Sequence, residues 1–111
     1  MAKRYTRLPT KAEATLGRQI VAMRHAKGIT THQLGKLVNV PEQQIGRYEN
    51  GSSFIPIEML EALAKVMGEE IPKRIIRRIA ALRHREIRDE EEQIELEALY
   101  LEAFPDIIDD Q

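Results

Sequence analysis

The sequence predicts an all-α protein, and three observations carry that prediction. Apolar residues recur at three- and four-residue spacing in one short segment after another. Proline, glycine and asparagine stand between those segments, where helices start and stop. No segment shows the two-residue alternation of a half-buried strand, and only two phenylalanines are present. At 111 residues, 42% of them hydrophobic and 32% charged, the chain is long enough to bury one core without a metal or disulfide staple. The absence of cysteine excludes disulfides and thiolate zinc sites. No apolar run of membrane-spanning length and no secretory leader pattern is seen, so a cytoplasmic protein away from membranes is expected.

Residues 1–14 read as a basic arm, with Lys3, Arg4, Arg7 and Lys11 around Pro9 and no apolar period. A first helix then carries Leu16, Ile20 and Met23, with Val21 alongside, and ends at Gly28 after the basic Lys27. Thr30 can cap a short second helix bearing Leu34, Leu37 and Val38. Asn39, a residue type that tolerates the left-handed region, ends it. Val40 and Pro41 restart the chain, since proline suits the first turn of a helix. The third helix, Glu42 to Glu49, turns Ile45 and Tyr48 inward and stops at Asn50-Gly51. Pro56 opens a fourth helix with Ile57, Leu60, Leu63, Ala64 and Met67 inward, closed by Gly68.

Pro72 opens a fifth helix that sorts Ile75, Ile76, Ile79 and Leu82 to one side and Lys73, Arg74, Arg77, Arg78 and Arg85 to the other. Solvation is the default expectation for that basic face; phosphate contact or a meeting with the acidic tail are the alternatives. Asp89 caps a sixth helix, with Glu90, Glu91 and Glu92 suited to a helix N-terminus. In it Ile94, Ala98 and Leu101 share one face, Leu96, Leu99, Tyr100, Ala103 and Phe104 fall mostly opposite, and Glu91, Glu95 and Glu102 are left for water. A helix apolar on two faces needs two things to pack against, and its own chain and a second subunit are the expected pair. Ile87, Ile94, Leu101 and Ile108 also recur every seven residues, as a coiled-coil seam would. Ile87, Ile94, Ala98, Leu101 and Phe104 are therefore the expected dimerisation residues.

Charge is segregated along the chain. Residues 1–68 hold ten Lys and Arg against five Asp and Glu, and residues 69–88 hold seven against three; residues 89–111 hold ten acids and no base. The formal net charge of −1 hides a basic body that suits a polyanion partner.

Two short helices joined by a three- or four-residue turn describe a helix-turn-helix. Gly35 supplies the small residue where the helices cross, and Asn39 the turn residue. Leu34, Val38, Val40, Ile45 and Tyr48 form the wedge between them. The second helix of the pair then presents Glu42, Gln43, Gln44 and Arg47 outward. Gln reads adenine and Arg reads guanine through paired hydrogen bonds in the major groove, which makes double-stranded DNA the expected partner. A solvated polar face is the bland alternative. Glu42 sits at a base-reading position where it accepts only from cytosine N4. A favourable charge at the helix N-terminus is its stronger reading.

The stretch from Leu16 to Gly68 resembles the Cro/cI-type (XRE, lambda-repressor-like) helix-turn-helix family. The resemblance is carried by LGRQIVAMRHAKGIT, THQLGKLVNV, QIGRYENG and IPIEMLEALAKVMG. It implies a five-helix lambda-repressor-like DNA-binding domain over residues 15–70, acting as a homodimer on a pseudo-palindromic operator. Residues 71–111 are then a helical oligomerisation region with an acidic tail. The resemblance also implies a structural ion pair between Arg24 and Glu49, and phosphate contacts from Thr31, Asn50, Ser52 and Ser53. His32 is a further phosphate candidate on the same helix. Thr31 stands where glutamine is common, and Pro41 where Ser or Thr is common, so the operator does not transfer from the family.

No catalytic constellation is present: Ser52 and Ser53 are the only serines and lack a histidine partner, and no glycine loop cradles phosphate. His25, His32 and His84 lack metal-site spacing, and Asp106, Asp109 and Asp110 lack the pattern of a calcium loop. No cofactor is expected. The expected function is a bacterial or phage transcriptional repressor, nucleoid-associated. The alternatives are an antitoxin or restriction-modification controller using the same domain, or an adaptor gripping a protein through its acidic carboxyl-terminal region.

Overall fold

The computed structural model describes residues 11–84 and 90–105. They form six helices: α1 (Lys11–Lys27), α2 (Thr31–Val38), α3 (Glu42–Glu49), α4 (Ile57–Val66), α5 (Lys73–Arg83) and α6 (Glu90–Ala103). No strand occurs among the described residues, so the all-α class stands.

Helix α1 is the hub. It packs against α3 and, more extensively, against α6, while α2 packs on α3 and α4, and α5 on α6. One core joins Leu16, Ile20 and Met23 of α1 with Leu34, Ile45, Leu60, Leu63, Ile75 and Ile79 from the middle helices and Leu96, Tyr100 and Phe104 from the end of the chain. The expected boundary between 70 and 71 therefore does not separate two cores: α5 and α6 complete the core that α1 to α4 begin. Residues 1–10 of the expected arm lie outside the described residues, and Lys11–Ala14, expected in it, form the first turn of α1, with Ala12 and Glu13 buried.

Three helices start in the same way. Val40-Pro41, Ile55-Pro56 and Ile71-Pro72 each place proline at the N-cap, with ψ of 152°, 152° and 144°. Proline stands just outside the helix rather than within its first turn. It offers no side-chain cap, but its extended ψ sets the entry angle. Its carbonyl accepts the first helical bonds, as in Leu60 N to Pro56 O at 2.9 Å. The residue before each proline is apolar: Ile55 and Ile71 are buried, and Val40 packs on the core. That is the position of a hydrophobic staple, which explains how two loop residues join the core.

Helix α6 buries Leu96, Tyr100 and Ala103 and leaves Ile94 59% and Leu101 41% exposed. Its two apolar faces thus separate as the spacing predicts. Phe104 falls on the inner side with no exposed surface, so it is a core residue and not a dimerisation residue. Ile87 and Ile108 lie outside the described residues, as do Arg85 and Asp89.

The basic face of α5 is not simply solvated. Arg78 donates to Glu95 through Nε at 2.6 Å and Nη2 at 3.0 Å, and Arg74 donates to Glu102 at 3.1 Å. The side-chain hydrogen bond from Arg78 is the main reason the Glu95 carboxyl lies below its ordinary value. Two acids expected to face water are therefore shared with α5.

Candidate nucleic-acid interface

The angle between α2 and α3 follows from a few local devices. Thr30 and Gln33 close a capping box: Gln33 N donates to Thr30 Oγ1 at 3.0 Å and Thr30 N to Gln33 Oε1 at 2.8 Å. Two otherwise unpaired backbone donors at the start of α2 are satisfied in this way. Asn39 ends α2 at φ 65°, ψ 44°, in the left-handed region, and Val40 N returns to Gly35 O at 2.9 Å. A Cβ on Gly35 would stand 2.6 Å from Val40 O, so only glycine allows this tight return. Ile45 and Tyr48 of α3 then bury against the core.

Helix α1 holds α3 from behind. Gly17 faces the end of α3 so closely that a Cβ there would lie 2.6 Å from Tyr48 O. Arg24 grips Glu49 in a two-pronged ion pair, Nε to Oε2 at 2.7 Å and Nη2 to Oε1 at 3.1 Å. Its third nitrogen donates to Ile29 O at 3.0 Å, which also anchors the approach to α2. The two side chains are only 13% and 10% exposed. Such shielding and bidentate geometry make this a stronger brace than a surface pair.

On the opposite side of α3, Glu42, Gln43 and Arg47 are exposed and Gln44 is half-buried. Arg47 Nη1 donates to Gln44 Oε1 at 3.0 Å, which holds two of the base-reading candidates together at the surface. Asn50, Ser52 and Ser53 follow in the turn after α3. Asn50 Oδ1 accepts from Ser52 N at 3.0 Å, and Ser52 N and Oγ both donate to Arg47 O, at 3.0 and 3.4 Å. The loop beside α3 is therefore shaped by its own polar groups.

Glu42 does not project freely outward. Its Oε2 accepts from Thr31 Oγ1 at 3.0 Å, and its Oε1 stands 3.7 Å from His32 Nδ1. The start of α3 is thus linked through this carboxylate to the start of α2.

Sequence reasoning missed the supports furthest from the turn. Gly17 sits within the apolar stripe of α1 and carries no signal until α3 is beside it. Glu13, buried, accepts from Tyr100 Oη at 2.8 Å, and Tyr100 Oη accepts in turn from Arg83 Nε at 2.9 Å. The Arg83 guanidinium also lies 5.5 Å from the Tyr100 ring centre and donates to Ile55 O. Burial pushes the Tyr100 phenol well above its ordinary value; the Arg83 charge opposes that shift and Glu13 adds to it. Thr15 donates to Glu97 at 2.6 Å, and Gln19 to Phe104 O at 2.9 Å.

Among the described residues no group of three His, Asp or Glu could hold a metal ion, and no helix is long and apolar enough to cross a membrane.

The helix-turn-helix domain family matches residues 15–73. An uncharacterized HTH-type transcriptional regulator of Rickettsia conorii is 30% identical over 61 residues, covering 55% of this chain and 49% of that one. A counterpart of the same description in Rickettsia prowazekii is 30% identical over 61 residues, covering 55% and 47%. A protein of Yarrowia lipolytica named for multi-protein binding is 32% identical over 60 residues, covering 54% and 40%. The chain spans about half the length, or less, of these curated relatives. No solved structure matches it.

Proposed function

The chain belongs to the Cro/cI-type helix-turn-helix family, and on that premise we propose that it is a sequence-specific DNA-binding transcriptional regulator, a repressor acting as a homodimer on a pseudo-palindromic operator. One observation carries the reading. The buried side of α3 is locked by Gly17, Arg24 and Tyr48, while Gln43, Gln44 and Arg47 stand on its accessible side, next to the polar loop of Asn50, Ser52 and Ser53. A rigid rod with one braced face and one polar face suits insertion into a major groove.

Gln43, Gln44 and Arg47 supply base discrimination, and Thr31, His32, Asn50, Ser52 and Ser53 supply backbone contacts. Two recognition helices placed about 34 Å apart would reach successive major grooves on one side of the duplex. Ile94, Ala98 and Leu101 of α6 provide the apolar face for the second subunit. Repression follows by occlusion of promoter elements in a bacterial or phage cytoplasm.

The test is selection of bound duplexes from a random pool, followed by Arg47→Ala. The substitution is expected to cost about 1–3 kcal/mol on the selected duplex and to flatten preference at one base position. Equal loss on random duplex would reduce Arg47 to a phosphate contact. Absence of any salt-sensitive duplex binding by the full chain would overturn the function itself.

A further inference from the structure

Every donor proposed to face phosphate from the start of α2 already has an anion beside it. Thr31 Oγ1 donates to Glu42 Oε2 at 3.0 Å, and His32 Nδ1 stands 3.7 Å from Glu42 Oε1. Both oxygens of one carboxylate are thus turned toward the two backbone-contacting candidates of α2. All this occurs at the surface: the His32 and Glu42 side chains are 66% and 54% exposed. We propose that Glu42 is an internal phosphate mimic, an affinity-setting residue that holds Thr31 and His32 and must release them before α2 can engage the DNA backbone. The proposal rests on the DNA-binding reading above and adds how its affinity is set.

The physical argument is one of competition. A hydroxyl has a single hydrogen to donate, so Thr31 cannot give it to Glu42 and to a phosphate oxygen at once. A carboxylate beside the approach path also repels the phosphate directly. Both effects weaken backbone contact on every duplex alike, because phosphate carries no sequence information. The discriminating contacts of Gln43, Gln44 and Arg47 are untouched, since Glu42 is hydrogen-bonded to none of them and Arg47 has its own link to Gln44. Glu42 therefore lowers affinity for every duplex and leaves the preference among sequences to base reading. As the first residue of α3 it also keeps a negative charge at a helix N-terminus, where the helix dipole favours it.

The experiment is fluorescence anisotropy of the full chain on a fluorescent random-sequence duplex and on a duplex selected by the wild type, at two salt concentrations. Glu42→Gln removes the charge and keeps an acceptor for Thr31, whereas Glu42→Ala removes both. On random duplex Glu42→Gln is expected to bind about two- to fivefold tighter than wild type, the scale of a single exposed charge, and Glu42→Ala tighter still. Both gains shrink as salt rises. Thr31→Val is expected to be nearly silent in the wild type, where binding only exchanges the Glu42 acceptor for a phosphate, and to cost affinity in the Glu42→Ala background, where the hydroxyl gives up no bond to Glu42. Circular dichroism of each variant confirms that the helices remain.

Equal gains from Gln and Ala, with Thr31→Val silent in both backgrounds, would leave charge repulsion alone and overturn the mimic. Loss on the selected duplex without gain on the random one would make Glu42 a reader of cytosine and overturn it also. In either case wild-type binding would still uphold the DNA-binding function. Failure of wild type and all variants to bind any duplex would overturn both.

Discussion

Helices α3 and α6 are both fixed to α1, but by different kinds of contact. Helix α3 comes close through absence of bulk: Gly17 lets its terminal carbonyls approach, and one shielded ion pair, Arg24–Glu49, sets the angle. Helix α6 is held through bulk: Leu96, Tyr100 and Phe104 fill the core, and Glu13, Thr15 and Gln19 bond to it from α1. The first arrangement leaves the outer side of α3 uncovered. The second ties the last described helix to the first and makes the carboxyl-terminal region part of the fold. A close approach and an ion pair set position at α3, while packed bulk sets cohesion at α6.

Removing bulk from α6 is the harshest way to break that contrast. Phe104→Ala is expected to cost about 3–5 kcal/mol, since a fully buried ring is replaced by a cavity. Urea unfolding followed by circular dichroism measures it. A single transition at lower urea upholds one shared core, while two separate transitions would show α6 to be an independent unit.

Arg24→Ala attacks the other attachment. It strands the Glu49 carboxylate in a mostly shielded site and frees the Ile29 carbonyl, at an expected cost of about 2–4 kcal/mol. Chemical denaturation gives the stability, and anisotropy on DNA gives the consequence. Binding is expected to fall further than the unfolded fraction explains, because α3 loses its brace.

Tyr100→Phe keeps the ring and deletes the hydroxyl between Glu13 and Arg83, for about 1–3 kcal/mol. The pH dependence gives a separate check. The folded phenol titrates above its ordinary value of 10.0, so its contribution is complete below that pH and is lost as pH climbs past it. Urea midpoints from about pH 8 to about pH 11 should fall in the wild type and fall less in the Phe variant. Matching curves would show that Tyr100 is not the group responsible.

The smallest effect belongs to Arg78→Ala, which opens an exposed pair between α5 and α6. The Glu95 carboxyl is held below its ordinary 4.5, so the pair's contribution is present above that pH and is lost on acidification. A slight fall in melting temperature at low salt, vanishing near 1 M salt, where screening acts within about 3 Å, is expected. A fall that persists in high salt would mean that the Arg78 stem, not its charge, holds α6.

Much of the helix-turn-helix was legible because its determinants are local. Thr30, Gly35, Asn39 and Pro41 act within a few residues of themselves, through capping, close approach, positive φ and a restricted start, and each leaves its mark in the sequence. The Arg24–Glu49 pair came from the family resemblance, and the geometry bears it out. The two faces of α6 were legible from its spacing, with Phe104 opposite Ile94, but not which of them the chain's own core would cover. Phe104 went inward because α1 offers Gln19 to its carbonyl and a core to its ring. Glu95 and Glu102 read as solvated because nothing in their own helix names α5 as a neighbour.

By itself the sequence determined the six helices, the breaks between the first five, the Thr30 cap and the polar outer side of α3, since these depend on backbone preference and on apolar period. Only the tertiary structure decided that α6 closes back onto α1 and that the half-buried Arg83 joins the buried Glu13 and Tyr100 in one cluster. It alone set Glu42 against Thr31 and His32. Those contacts join residues far apart in the chain or on different helices, and no local energy term favours them. They exist because packing α1 against α3 and α6, and α2 against α3, brings the polar groups along, and each then takes the partner that packing leaves within reach.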